Sequence, residues 1–213
     1  MLMPATSYTV QLTLPDIILP GQLEIPSQAT GLVIFSHGSG SSRLSPRNRY
    51  VARHLRDAGL ATLLFDLLTP TEDATYATRF DIPLLTHRLL DATHWAREQP
   101  ALTKLPLGLF GASTGAASAL AAAAELGPRV RAVVSRGGRP DLVLPLLHSV
   151  SAPTLLLVGG NDTEVIALNK KAHLALGPPS ELCLIPGAGH LFEEPGALEA
   201  VAAAATDWYQ RYL

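Results

Sequence analysis

The sequence predicts an α/β protein: a doubly wound, mostly parallel sheet of about eight strands with helices on both faces. Short unbroken apolar runs recur along the chain, longer helical stretches separate them, and most of the 17 glycines and 17 prolines fall at the joints. A strand that is apolar at every position must be covered on both faces, as parallel strands joined by crossover helices are. With 213 residues, 47% hydrophobic and 16% charged, the chain reads as one domain, 1–213, with a sizeable core. Intrinsic disorder needs the opposite balance.

Residues 8–14 alternate with period two and predict a strand, and 17–25 predict a second, interrupted at Pro20-Gly21. The pair reads as an antiparallel hairpin at a sheet edge, where a strand proline is tolerated. Apolar runs at 32–35, 61–65, 105–110, 130–134, 154–158 and 182–185 supply six further strands. The segments between them predict helices near 46–59, 83–99, 114–127, 141–149, 163–176 and 196–212. Residues 67–82 fit neither pattern and form a long polar connection, read equally as a surface loop or a substrate flap.

The formal charge of -2 gives no footprint for a nucleic acid or an anionic membrane surface. No basic leader precedes an apolar stretch, and no apolar run approaches the roughly 18–20 residues that span a bilayer, so a cytoplasmic location is expected. The lone Cys183 lies in an apolar run and reads as a small buried hydrophobe. No His/Cys cluster has zinc spacing, so neither metal nor cofactor is expected. A small-molecule substrate is the expected partner, and a homodimer stays open.

The chemistry concentrates where strands end. Gly111-Ala112-Ser113-Thr114-Gly115 follows one strand and opens an Ala-rich helix, in the pattern G-x-S-x-G. An abrupt strand-to-helix turn strains its central residue, excludes bulk two positions either side, and lifts the serine above the sheet edge. The helix N-terminus then favours an oxyanion at that spot.

A serine hydroxyl needs a base, and the base an orienting acid. Of seven histidines, His54, His87, His94 and His173 fall in predicted helices and read as surface residues. His148 sits at a helix end, and His37 reads as loop-shaping. His190 stands in a Gly-rich loop after the last strand, placed to lay an imidazole over the carboxyl edge. Asp162, after Gly159-Gly160-Asn161 at the end of the seventh strand, is the candidate acid, with helix capping as its structural alternative. Asp141 and Glu164 are fallbacks. For the second oxyanion donor besides Thr114 N–H, the loop Ser36-His37-Gly38-Ser39-Gly40 offers Ser39 N–H, or failing that Gly40.

From residue 32 to 213 the chain resembles the α/β hydrolase superfamily, and within it the dienelactone-hydrolase-like group. The resemblance rests on His37–Gly40, Gly111–Gly115, Gly160–Asp162 and Gly187–His190. It implies Ser113 as nucleophile, His190 as base, Asp162 as its orienter, and Ser39 and Thr114 as oxyanion donors. Dienelactone hydrolases carry cysteine at the nucleophile position, so Ser113 points to ordinary ester chemistry. No large cap domain is inserted.

Arg43, Arg47 and Arg49 follow the oxyanion loop, and Arg136 and Arg139 leave the sixth strand. Each is either a clamp for a substrate anion or a partner for a nearby acid such as Asp141 or Asp66. Arg136, with Gly38 and Gly40, is the substrate-binding candidate. Asp66 itself reads as a loop anchor. The function expected is cleavage of small esters or lactones through an acyl-enzyme. Thioester hydrolysis or acyl transfer on the same residues, and a non-catalytic binding scaffold, are the alternatives.

Overall fold

A computed structural model of the protein describes residues 6–177 and 179–213. Eight strands form one sheet in the order β1-β2-β4-β3-β5-β6-β7-β8. The hairpin β1 (Thr6–Thr13) and β2 (Ile18–Ile25) is antiparallel and lies at one edge, with β2 also antiparallel to β4 (Leu60–Phe65). Pro20 lies just outside the β2–β4 register, which runs from Gly21 to Glu24, so its missing N–H costs no ladder bond there. The remaining neighbours are parallel: β3 (Gly31–Ser36) beside β4 and β5 (Leu107–Ala112), then β6 (Val130–Arg136), β7 (Thr154–Gly159) and β8 (Ser180–Ile185). β3, β4, β5 and β7 are buried at every position, as their unbroken apolar runs predict.

Helices cover both faces. On one, α1 (Pro46–Asp57) and α7 (Ala197–Tyr212) bury Val51, Leu55, Val201 and Trp208 against Phe35, Phe110, Val134 and Leu157. Tyr209 fixes α7 to the centre of the sheet, its hydroxyl donating to Leu109 O at 2.7 Å. On the other, α4 (Ile82–Glu98) and α5 (Thr114–Leu126) pack over Leu32, Ile34, Leu109 and Val133. The alanines of α5 keep that helix thin enough to lie buried against the sheet from Thr114 to Ala123. The remaining long helix, α6 (Thr163–Leu176), follows β7.

Two segments differ from the sequence expectation. The helix expected at 141–149 is a 3₁₀ stretch, Pro140–Ser149, broken by non-helical Val143 and carrying Pro145 inside. Pro145 has no N–H to donate and clashes with an α-helical carbonyl, so the tighter turns win. The connection 67–82 is ordered into two short helices, α2 (Pro70–Asp73) and α3 (Tyr76–Arg79). A capping box starts α2: Glu72 N donates to Thr69 Oγ1 and Thr69 N to the Glu72 carboxylate at 2.8 Å. Among the described residues no helix is long and apolar enough to cross a membrane.

Candidate active site

The turn from β5 into α5 places Ser113 at the carboxyl edge of the sheet with φ 53° and ψ -122°, a conformation that costs a non-glycine residue about 1–3 kcal/mol. Sterics explain the flanking glycines. A Cβ on Gly111 would stand 2.4 Å from Ala116 Cα, and one on Gly115 would stand 2.2 Å from Ser36 O. The backbones of β3, β5 and α5 therefore meet closer than any side chain permits.

Two backbone bonds hold the elbow: Ser113 N donates to Arg136 O, and Arg139 N donates to Ser113 O, both at 3.1 Å. The turn 136–139 is thus tied to Ser113. The same turn lies against His190, since a Cβ on Gly137 would stand 3.6 Å from His190 Cε1.

His190 and Asp162 are brought together by their own loops. Gly160 N donates to Ile185 O at 2.8 Å, Asn161 N to Ala188 O at 2.9 Å, and Asn161 Nδ2 to Gly187 O at 2.8 Å. A bare Gly159 permits this, because a Cβ there would stand 2.4 Å from Gly189 O. The result is a hydrogen bond of 2.7 Å between His190 Nδ1 and Asp162 Oδ2. Asp162 occupies the N-cap position of α6, yet its side chain makes no capping bond. Its carboxylate is directed to the imidazole instead. Among the described residues, neither the Ser113 hydroxyl nor His190 Nε2 has a hydrogen-bond partner, so both keep their capacity for a substrate.

The loop after β3 reaches the same edge. Ser39 N–H already has an acceptor there: it donates to Thr114 Oγ1 at 2.9 Å. Two residues 75 apart in sequence are thereby joined, through a side chain that the pattern of glycines does not reveal. His37 shapes this loop from within: Leu67 N donates to His37 Nε2, and His37 Nδ1 bonds Gly38 O, both at 3.0 Å. Burial pushes its pKa below the usual histidine value, which keeps it neutral as those bonds require. Arg79 of α3 closes on the loop, 3.6 Å from where a Cβ on Gly40 would stand.

The arginines separate. Arg43 pairs with Asp66, whose carboxylate also accepts Arg43 N–H at 2.7 Å, so Asp66 anchors the loop. Arg139 makes a two-pronged contact with Asp141, 2.8 Å on each oxygen, which removes Arg139 as a free cation and Asp141 as a fallback acid. Arg47 reaches Glu193 at 3.2 Å. Arg136 is different: it is 8% exposed, and among the described residues its buried Nη1 has no hydrogen-bond partner. Burial, reinforced by the charge of Arg47, lowers its pKa to about 10. Asn161, whose side chain ties the Asp162 loop to Gly187 O, is marked in the sequence only by the glycines and aspartate beside it.

A sheet in this order, with a strained serine after β5, an acid after β7 and a histidine after β8, defines an α/β hydrolase. The chain belongs to the dienelactone hydrolase family, whose model matches residues 21–213. Over 210 residues it is 54% identical to a Mycobacterium tuberculosis protein provisionally named phosphoribosyl transferase, covering 99% of this chain and 47% of that one. The chain thus spans about half the length of the curated relatives it matches. A crystal structure of dienelactone hydrolase from Anabaena variabilis is 54% identical and superposes with a TM-score of 0.96, covering 99% of this chain and 100% of that one. Est1E from Butyrivibrio proteoclasticus shares the fold at 16% identity, with a TM-score of 0.79 over 95% of this chain and 98% of its own.

Proposed function

We propose that the chain is a serine hydrolase that cleaves small carboxylic esters or lactones through an acyl-enzyme. The observation that carries this reading is the 2.7 Å His190–Asp162 hydrogen bond, beside the turn 136–139 that anchors Ser113. Ser113 Oγ attacks the carbonyl carbon while its proton passes to His190 Nε2. Asp162 fixes the tautomer that leaves Nε2 free and stabilises the imidazolium that forms. The tetrahedral oxyanion lies at the N-terminus of α5. His190 then returns the proton to the departing alkoxide, and water repeats the sequence on the acyl-enzyme, releasing acid and free serine.

Serine at 113 favours ordinary ester chemistry. Gly38 presents bare backbone to the substrate, since a Cβ there would stand 3.1 Å from Ser113 Cβ. Arg136 supports a substrate that carries an anionic group: an unpaired buried guanidinium is costly, and a carboxylate seated on it relieves that cost. The name phosphoribosyl transferase describes relatives of which this chain spans about half, and the grouping of Ser113, Asp162 and His190 favours acyl chemistry for this chain.

Steady-state turnover of a panel of p-nitrophenyl esters, lactones and acyl thioesters, with Ser113→Ala as control, tests the reading. Ester or lactone turnover lost in the variant supports it, and turnover equal in both proteins contradicts it.

A further inference from the structure

Thr114 does more than contribute a backbone amide. Its side chain is 2% exposed at the first turn of α5, directly after Ser113. A threonine hydroxyl has one proton to donate and two lone pairs. One lone pair is engaged by Ser39 N–H at 2.9 Å, and among the described residues the hydroxyl proton has no acceptor. A buried donor without an acceptor costs about 1–3 kcal/mol, so its retention beside the strained serine calls for an acceptor supplied from elsewhere.

The position of the hydroxyl says which. An oxyanion-hole donor stands about 2.7–3.1 Å from the oxygen it stabilises. Thr114 Oγ1 stands at that distance from Ser39 N, in front of the amide that would otherwise hold the substrate oxygen. Burial and the branched Cβ resist swinging it aside, because only a few χ1 rotamers are open to threonine.

Resting on the serine-hydrolase reading above, we propose that the Thr114 hydroxyl is itself an oxyanion donor. Thr114 then offers the developing charge two donors, its backbone N–H and its O–H. Ser39 N–H is a positioning group: it fixes the hydroxyl and polarises it, so that the O–H becomes a stronger donor as charge grows on the substrate oxygen. The arrangement transmits a backbone donor through a side chain and shifts the oxyanion toward α5.

The test compares Thr114→Val, Thr114→Ala and Thr114→Ser with the wild type on p-nitrophenyl acetate, each checked for a cooperative urea transition. Valine keeps the shape and removes the proton, alanine serves should valine prevent folding, and serine restores the hydroxyl. The expected result is a loss of about 10²–10³ in kcat for valine and alanine, with KM changed far less, and recovery of most of that loss in Thr114→Ser. A folded Thr114→Val that keeps wild-type kcat, or gains rate because Ser39 N–H is released, overturns the proposal. Titration of Ser113 with a fluorophosphonate separates the two layers. Labelled but slow valine and alanine variants support the donor role, and a wild type that neither labels at Ser113 nor turns over esters defeats the underlying reading instead.

Discussion

His190 Nδ1 and Asp162 Oδ2 lie 2.7 Å apart across 28 residues of chain, and the carboxylate that makes this bond declines the helix cap at which it stands. That separation of roles makes Asp162→Asn informative. Because no capping bond is lost, the urea midpoint is expected to stay close to that of the wild type. The imidazole tautomer is no longer held, and kcat for ester hydrolysis is expected to fall by about 10³–10⁴. A large loss of stability with unchanged kcat would show Asp162 to be structural.

Gly115 allows α5 to lie against β3, where an added methyl would meet Ser36 O at 2.2 Å. Gly115→Ala is expected to destabilise the fold by about 1–3 kcal/mol or more, since the obstacle is backbone and cannot rotate away. Denaturant unfolding measures it directly. A midpoint equal to that of the wild type would mean that the elbow relaxes freely.

The neutral His37 makes stability fall with acid. Its pKa is lowered from 6.5 by burial, so the unfolded chain takes up a proton at a pH where the folded chain does not. Its contribution is fully present above pH 6.5 and is lost as pH falls from there toward the lowered folded value. One such group gives a slope of at most about 1.4 kcal/mol per pH unit. Urea titrations between pH 8 and 5 are expected to show this slope, and His37→Gln to flatten it.

Among the described residues Arg136 pairs with no acid and its buried Nη1 has no hydrogen-bond partner, so Arg136→Leu is expected to leave stability equal or raised. For esters bearing a carboxylate, KM is expected to rise about 10–100-fold, the value of one charged hydrogen bond, while neutral esters change little. Equal effects on both substrate sets would show that Arg136 does not read charge.

The strands were legible because β3, β4, β5 and β7 carry nearly unbroken apolar runs, the pattern of a doubly covered sheet, and they are buried at every position. Ser113, Asp162 and His190 were legible as candidates because each follows a strand in a glycine-rich turn, and the topology carries all such turns to one edge. What stayed hidden depends on which partner a polar group meets in space. Nothing in the order of residues tells that Ser39 N–H meets Thr114 Oγ1, that Asp141 claims Arg139, or that Arg136 finds no acid among the described residues. The 3₁₀ stretch at Pro140–Ser149 was hidden for a related reason, since its apolar spacing suits a helix and only Pro145 and the break at Val143 tighten it.

The most direct measurement is intact-mass analysis after treatment with a fluorophosphonate, on the wild type and on Ser113→Ala, His190→Ala and Asp162→Ala. A single adduct on the wild type, absent in Ser113→Ala and formed far more slowly in the other two, is the predicted result. An adduct that persists in Ser113→Ala, or a labelling rate indifferent to His190 and Asp162, would contradict the account.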